Sequence, residues 1–143
     1  MTWIVQFPGV PEAVGCARKL VRDALHRLPQ VDDAELIVSE LVTNAILHSR
    51  SGAGGVLWVE IRRRRGVIRI AVTDEGAAGS EPSYRSTEEV DDFGRGLAIM
   101  AGLADNWGAS SDVDDSQTVW AELASPAEVT PRIHTKKSSS RGV

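Results

Sequence analysis

The sequence predicts an α/β fold, a sheet of antiparallel or mixed strands with helices over one face. Three observations lead there. Residues 2–7, 56–63, 67–73 and 117–123 are β-rich and largely alternate between apolar and polar positions. Residues 11–28 and 33–49, between the first two of these stretches, carry apolar residues at helical spacing. A tight turn near Arg65-Gly66 joins two strands, and in the second of them Ile68, Ile70 and Val72 face one way while Arg69, Ala71 and Thr73 face the other. Such a hairpin has one face to bury and helices with which to bury it.

Each element has a local reason. The first strand, residues 2–7 (TWIVQF), is broken by Pro8, Gly9 and Pro11. Pro11 and Glu12 suit the first turn of a helix, where a missing N–H is harmless and a carboxylate meets the positive end of the dipole. Val14, Ala17, Leu20, Val21, Ala24, Leu25 and Leu28 mark that helix to about residue 28, and Pro29 stops it. Cys16 and His26 lie within it and read as structural residues. After residues 49–55, whose glycines match neither a Walker loop nor a dinucleotide fingerprint, comes the hairpin. The run Arg62 to Arg65 reads as its solvated tip. Residues 77–93, rich in Ser, Glu and Asp, have the length of a lid or binding segment. A helix over residues 97–103, a short strand over 107–110, a polar turn over 112–116 and the strand 117–123 complete one domain, residues 1–124. Residues 125–143 are polar and basic and are expected to be a disordered tail.

Composition narrows the function classes. A chain of 143 residues suits one domain with a real core. A net charge of −4 gives no global footprint for nucleic acid. A single cysteine, Cys16, excludes an internal disulfide, and three scattered histidines show no metal-ligand spacing. No apolar run approaches the ~20 residues of a membrane span, and the N-terminus lacks a signal-peptide pattern. The expectation is a cytoplasmic protein acting away from membranes and nucleic acid.

The chemistry concentrates in the second helix, DAELIVSELVTNAILHS over residues 33–49. Asp32, Glu35, Ser39 and Thr43 fall on one arc and read as a solvent face. Glu40, Asn44 and His48 follow at i, i+4 and i+8 and drift only ~40° per step. Their arc is centred roughly 130° from the first, among Ile37, Leu41, Ala45 and Leu47. A carboxylate, an amide and an imidazole on an apolar flank are expensive to bury without partners, which a ligand would supply. Gly94 and Gly96 precede a helix, where backbone N–H groups favour anions. Asp74, at the mouth of a strand before Glu75-Gly76, is an acceptor placed for a purine amino group. Asn44 offers an amide oxygen suited to Mg²⁺, and Glu40 a base toward an attacking hydroxyl. Thr118 offers a hydroxyl from the last strand.

These motifs, in this order, resemble those of the GHKL (histidine-kinase-like) ATPase superfamily. Within it the chain is most similar to the anti-sigma factor serine/threonine kinases and their stand-alone actinobacterial ATP-binding relatives. Ser39-Glu40-Leu41-Val42-Thr43-Asn44-Ala45-Ile46-Leu47-His48 resembles the N box, Asp74-Glu75-Gly76 the first glycine box, Gly94-Arg95-Gly96-Leu97 the second, and Thr118-Val119-Trp120 the closing strand motif. The resemblance spans about residues 10–123. It implies a two-layer α/β sandwich, a mixed sheet with helices on one face and ATP under a lid. It further implies that Asn44 holds Mg²⁺ on the phosphates and that Glu40 accepts the proton of a partner's serine. Asp74 would bind the adenine amino group with help from Gly76 and Thr118. Gly94, Arg95, Gly96 and Leu97 would line the phosphates, with His48 at the pocket edge. The chain departs from the family where Ala77-Ala78 follow Gly76 and where Ser116-Gln117, not a glycine, precede Thr118.

Three functions compete. The first is an ATP-dependent anti-sigma factor that phosphorylates a serine or threonine of an anti-sigma antagonist and controls a sigma factor. The second is a non-catalytic nucleotide- or sigma-factor-binding module of the same fold. The third, an ATP hydrolase detached from a larger machine, lacks a second domain to move. A homodimer is also implied by resemblance, and Trp3 with alternate residues of the first strand offers an edge across which it could form.

Overall fold

The structure is a computed structural model that describes residues 1–76 and 97–125. The order is β1 (Thr2–Pro8), α1 (Glu12–Leu25), α2 (Val31–His48), β2 (Val56–Arg64) and β3 (Val67–Asp74), then α3 (residues 97–103), β4 (Asn106–Ser111) and β5 (Gln117–Ala124). A single 3-10 turn, Arg50–Gly52, joins α2 to β2. Every helix and strand expected of these residues is present. The expected lid, and the expected tail beyond Ser125, lie outside the described residues. No helix among those described is long and apolar enough to cross a membrane.

The five strands form one sheet in the order β1-β2-β3-β5-β4. Every pairing is antiparallel, one of the two arrangements the strand pattern allows and not the mixed sheet that the resemblance implies. The reason is topological. β3 and β4 run in the same direction, but β5 inserts between them and is antiparallel to both.

Alternation along the strands sorts the two faces. Leu57, Val59, Ile61, Ile68, Ile70, Val72, Ala121 and Leu123 are buried on the inner face. They meet Ala17, Val21 and Leu25 of α1, Ile37, Val38, Leu41 and Val42 of α2, and Met100 of α3 in one core. At ~1.5–3 kcal/mol for each large aliphatic side chain fully buried, this two-layer contact is the main stabilising term. The outer face has no helix among the described residues. There the Arg69 guanidinium stacks 4.3 Å from the centre of the Trp120 ring, and Arg69 Nη1 lies 3.5 Å from Glu122 Oε2. Trp120 lies over its cross-strand neighbour Gly108, where a Cβ would stand 2.6 Å from the ring.

One polar arc of α2 is not what its sequence suggests. Glu35 and Ser39 are each only 9 % exposed, so the arc read as a solvent face is partly buried. Glu35 pairs with Arg22 of α1, and Arg18 Nε lies 3.6 Å from its other oxygen. Through Glu35 this flank of α2 meets α1. The true solvent strip runs through Leu36 and Leu47, 43 % and 60 % exposed. Gln30, at the start of α2, donates its side-chain N–H to the Gly66 carbonyl at 3.1 Å, which fixes that end of the helix to the hairpin turn.

Candidate functional site

With one flank of α2 committed to α1, the opposite flank carries Glu40, Asn44 and His48. Glu40 and His48 are half-buried, and Asn44 is 8 % exposed. Asn44 Nδ2 is buried and has no hydrogen-bond partner among the described residues. A buried amide left unsatisfied costs ~1–3 kcal/mol, and selection for stability alone favours a leucine there. The amide N–H₂ needs an acceptor, and its oxygen is a hard ligand for a cation. Among the described residues no cluster of His, Cys, Asp or Glu could hold a metal by itself. A cation at Asn44 would therefore depend on oxygens brought by the ligand, which is the usual arrangement for Mg²⁺ on phosphates.

The second part of the site is the end of β3. Asp74 has the same parity as Ile68, Ile70 and Val72, so it belongs to the helix side of the sheet. One of its carboxylate oxygens accepts the Gly76 N–H at 2.7 Å. Gly76 has φ +86°, and a Cβ on it would stand 2.0 Å from the Asp115 carbonyl oxygen. Only glycine allows the strand end to turn there while touching the β4–β5 turn.

Sequence reasoning missed Ser51, which holds these two parts together. It is fully buried in the 3-10 turn after α2. Its hydroxyl donates to the Val56 carbonyl at 2.5 Å and accepts the Glu75 N–H at 3.0 Å. Glu75 Oε1 in turn accepts the Val56 N–H at 3.3 Å. The segment leaving Asn44 is thus tied to the turn that presents Asp74. The sequence signal, one serine in a glycine-rich loop, was too ordinary to find it.

The remaining expected residues divide. Gly94, Arg95 and Gly96 lie outside the described residues. Leu97 opens α3 and packs against the core. Thr118 is not brought to Asp74. It pairs with Thr73 in the β3–β5 register, and the two hydroxyls lie 2.8 Å apart on the outer face. The residue opposite Asp74 is Gln117. A cleft of about 540 Å³ lined by Trp58, Thr73, Glu75, Asp114 and Ser116 reaches Thr73 from that outer side and includes none of the α2 residues.

The site therefore offers a carboxylate and a buried amide one turn apart on a helix, and a second carboxylate at the end of a strand, on the side of the sheet that the helices cover. Such a set can bind a polar ligand that brings both anionic oxygens and hydrogen-bond donors. The chain is 34% identical over 85 residues to the anti-sigma F factor of Clostridium acetobutylicum, covering 55% of this chain and 59% of that protein. It is 28% identical over 127 residues to the anti-sigma F factor of Geobacillus thermodenitrificans, covering 81% and 87%. The anti-sigma F factor of Priestia megaterium is 27% identical over 128 residues, with the same coverage. Residues 7–122 match the histidine kinase-like ATPase domain, and the chain belongs to that family.

Proposed function

We propose that this protein is an ATP-dependent regulator of the anti-sigma type, which transfers the γ-phosphoryl group of ATP to a serine or threonine of an anti-sigma antagonist. The observation that carries the reading is the buried amide of Asn44 with its unsatisfied nitrogen, one helical turn from Glu40. The likeness to anti-sigma F factors supplies the class of partner, a sigma factor and its antagonist.

In this reading Asp74 accepts from the exocyclic amino group of adenine, and the Gly76 turn keeps its carboxylate aimed. Asn44 contributes its amide oxygen to Mg²⁺ and its N–H₂ to a phosphate oxygen. Mg²⁺, when bound, neutralises phosphate charge in the transition state. Glu40 takes the proton of the attacking hydroxyl. A bond forms between that hydroxyl oxygen and the γ-phosphorus. The bond from the γ-phosphorus to the bridging oxygen breaks, and ADP leaves with that electron pair. His48 borders the phosphate end, and Gly94, Arg95, Gly96 and Leu97 close it. The protein acts in the cytoplasm as one domain, residues 1–124, with residues 125–143 as its tail, and pairs as a homodimer through β1.

The test is phosphoryl transfer from labelled ATP to a candidate antagonist by the native chain and by Glu40→Gln. The expected result is transfer by the native chain and loss of ~100-fold or more in the variant, with ATP binding retained. Equal transfer by both would remove Glu40 from the role. ATP and antagonist binding with no transfer under any condition would favour the non-catalytic module.

A further inference from the structure

The β3–β5 register carries one more assignment. We propose that Gln117 is a specificity-determining residue that reads the base beside Asp74. This rests on the reading above, in which Asp74 receives a purine amino group.

Residues paired directly across an antiparallel ladder share a face, with Cβ atoms ~4.5–5.5 Å apart. Gln117 pairs with Asp74, and its parity is that of Val119, Ala121 and Leu123, which belong to the core side. Thr118, one position on, is turned to the outer face and engages Thr73. A one-residue step reverses the side of the sheet, so Gln117 and not Thr118 shares the site.

The chemistry of the pair is complementary to adenine. The amino group of adenine is a donor flanked by ring nitrogens that are acceptors, one on each edge. An ionised aspartate only accepts, so Asp74 suits the amino group and has nothing to offer a ring nitrogen. A glutamine carboxamide donates, and its length lets it reach past the strand end. Gln117 is half-buried at the first position of β5, and its carboxamide makes no hydrogen bond among the described residues. Asp74 and Gln117 together present an acceptor next to a donor. This is the pattern that matches the amino group plus either neighbouring ring nitrogen, N1 or N7. The two edges share one chemistry, and the analogues below tell them apart.

The experiment is calorimetric titration of the magnesium complexes of ATP, 1-deaza-ATP and 7-deaza-ATP into the full chain. Gln117→Ala, Gln117→Glu and Asp74→Asn are titrated alongside, with a thermal melt of each variant. The native chain is expected to bind one deaza analogue about fivefold to tenfold more weakly than ATP, the size of one neutral hydrogen bond. Gln117→Ala should bind ATP at that same reduced level and lose nothing further toward that analogue. Gln117→Glu, which keeps the shape but replaces the donor by an acceptor, should bind ATP more weakly still. Equal losses toward all three nucleotides in Gln117→Ala would mean that Gln117 merely props the strand, and would overturn the proposal. So would unchanged ATP binding by that variant while Asp74→Asn weakens it, which would leave the reading of Asp74 intact. Failure of the native chain to bind ATP, or indifference of Asp74→Asn, would overturn both.

Discussion

Asn44 is a residue whose identity the fold alone does not explain, whereas the backbone dictates that of Gly76. An amide buried at 8 % exposure with an unsatisfied nitrogen is a local cost to stability. Asn44→Leu, close in shape, should therefore raise the thermal midpoint or leave it unchanged, while abolishing MgATP binding; melting and titration of the same sample check both halves. A fall in the midpoint of several degrees would mean that the amide is satisfied in the free protein. Gly76 fails differently. Its φ of +86° and the 2.0 Å approach of a Cβ to the Asp115 carbonyl make Gly76→Ala both strained and crowded. A loss of ~2 kcal/mol or more is expected in a denaturant titration, because strain and overpacking add. Both residues were legible in the sequence, since an asparagine on an apolar flank and a glycine after a strand-ending aspartate are visible one at a time. Thr118 was not. Its hydroxyl looked usable, but strand parity turned it to the outer face beside Thr73, and that parity depends on a register no single strand reveals.

At the scale of elements, α2 is held on one flank, and the proposed site uses the other. The pairing of Glu35 with Arg22 and Arg18 is the polar part of that hold. The arginines are about half exposed, at 54 % and 52 % of their side chains, so solvent screens the pair. Glu35→Ala is expected to cost ~1 kcal/mol, with part of the difference lost in high salt. A salt-independent loss would point to packing instead. The sequence placed Glu35 on a solvent face because helical periodicity reports which residues share an arc, not what covers it. Two arginines at i and i+4 on α1 are ordinary surface residues until α1 lies beside α2. The turn at Ser51 is a tighter link. Ser51→Ala would remove the acceptor of the part-buried Glu75 N–H and the donor to the Val56 carbonyl. Destabilisation of ~1–3 kcal/mol in chemical denaturation is expected, together with weaker nucleotide binding as Asp74 loses its anchor.

Over the whole molecule, the two-layer architecture follows from an elementary division of the sheet. Its inner face is aliphatic and covered by helices, while its outer face mixes tryptophan, threonine and paired charges such as Arg69 and Glu122. The alternation that produces this division was readable strand by strand. The insertion of β5 between β3 and β4 was not, because strand order depends on how the chain crosses over, and the short β4 alone does not say on which side of β5 it pairs. That insertion places Gln117 against Asp74 and brings the β4–β5 turn against Gly76. The nucleotide site proposed here is thus a product of topology, with its polar groups drawn from a helix flank and from two strand ends. The measurement that tests it most directly is calorimetric titration of ATP with Mg²⁺ into the chain, with Asp74→Asn beside it. The expected result is saturable binding by the native chain and a loss of about tenfold or more in the variant, the range for a hydrogen bond to a charged group. No binding by the native chain, or equal binding by both, would contradict the placement of adenine at Asp74.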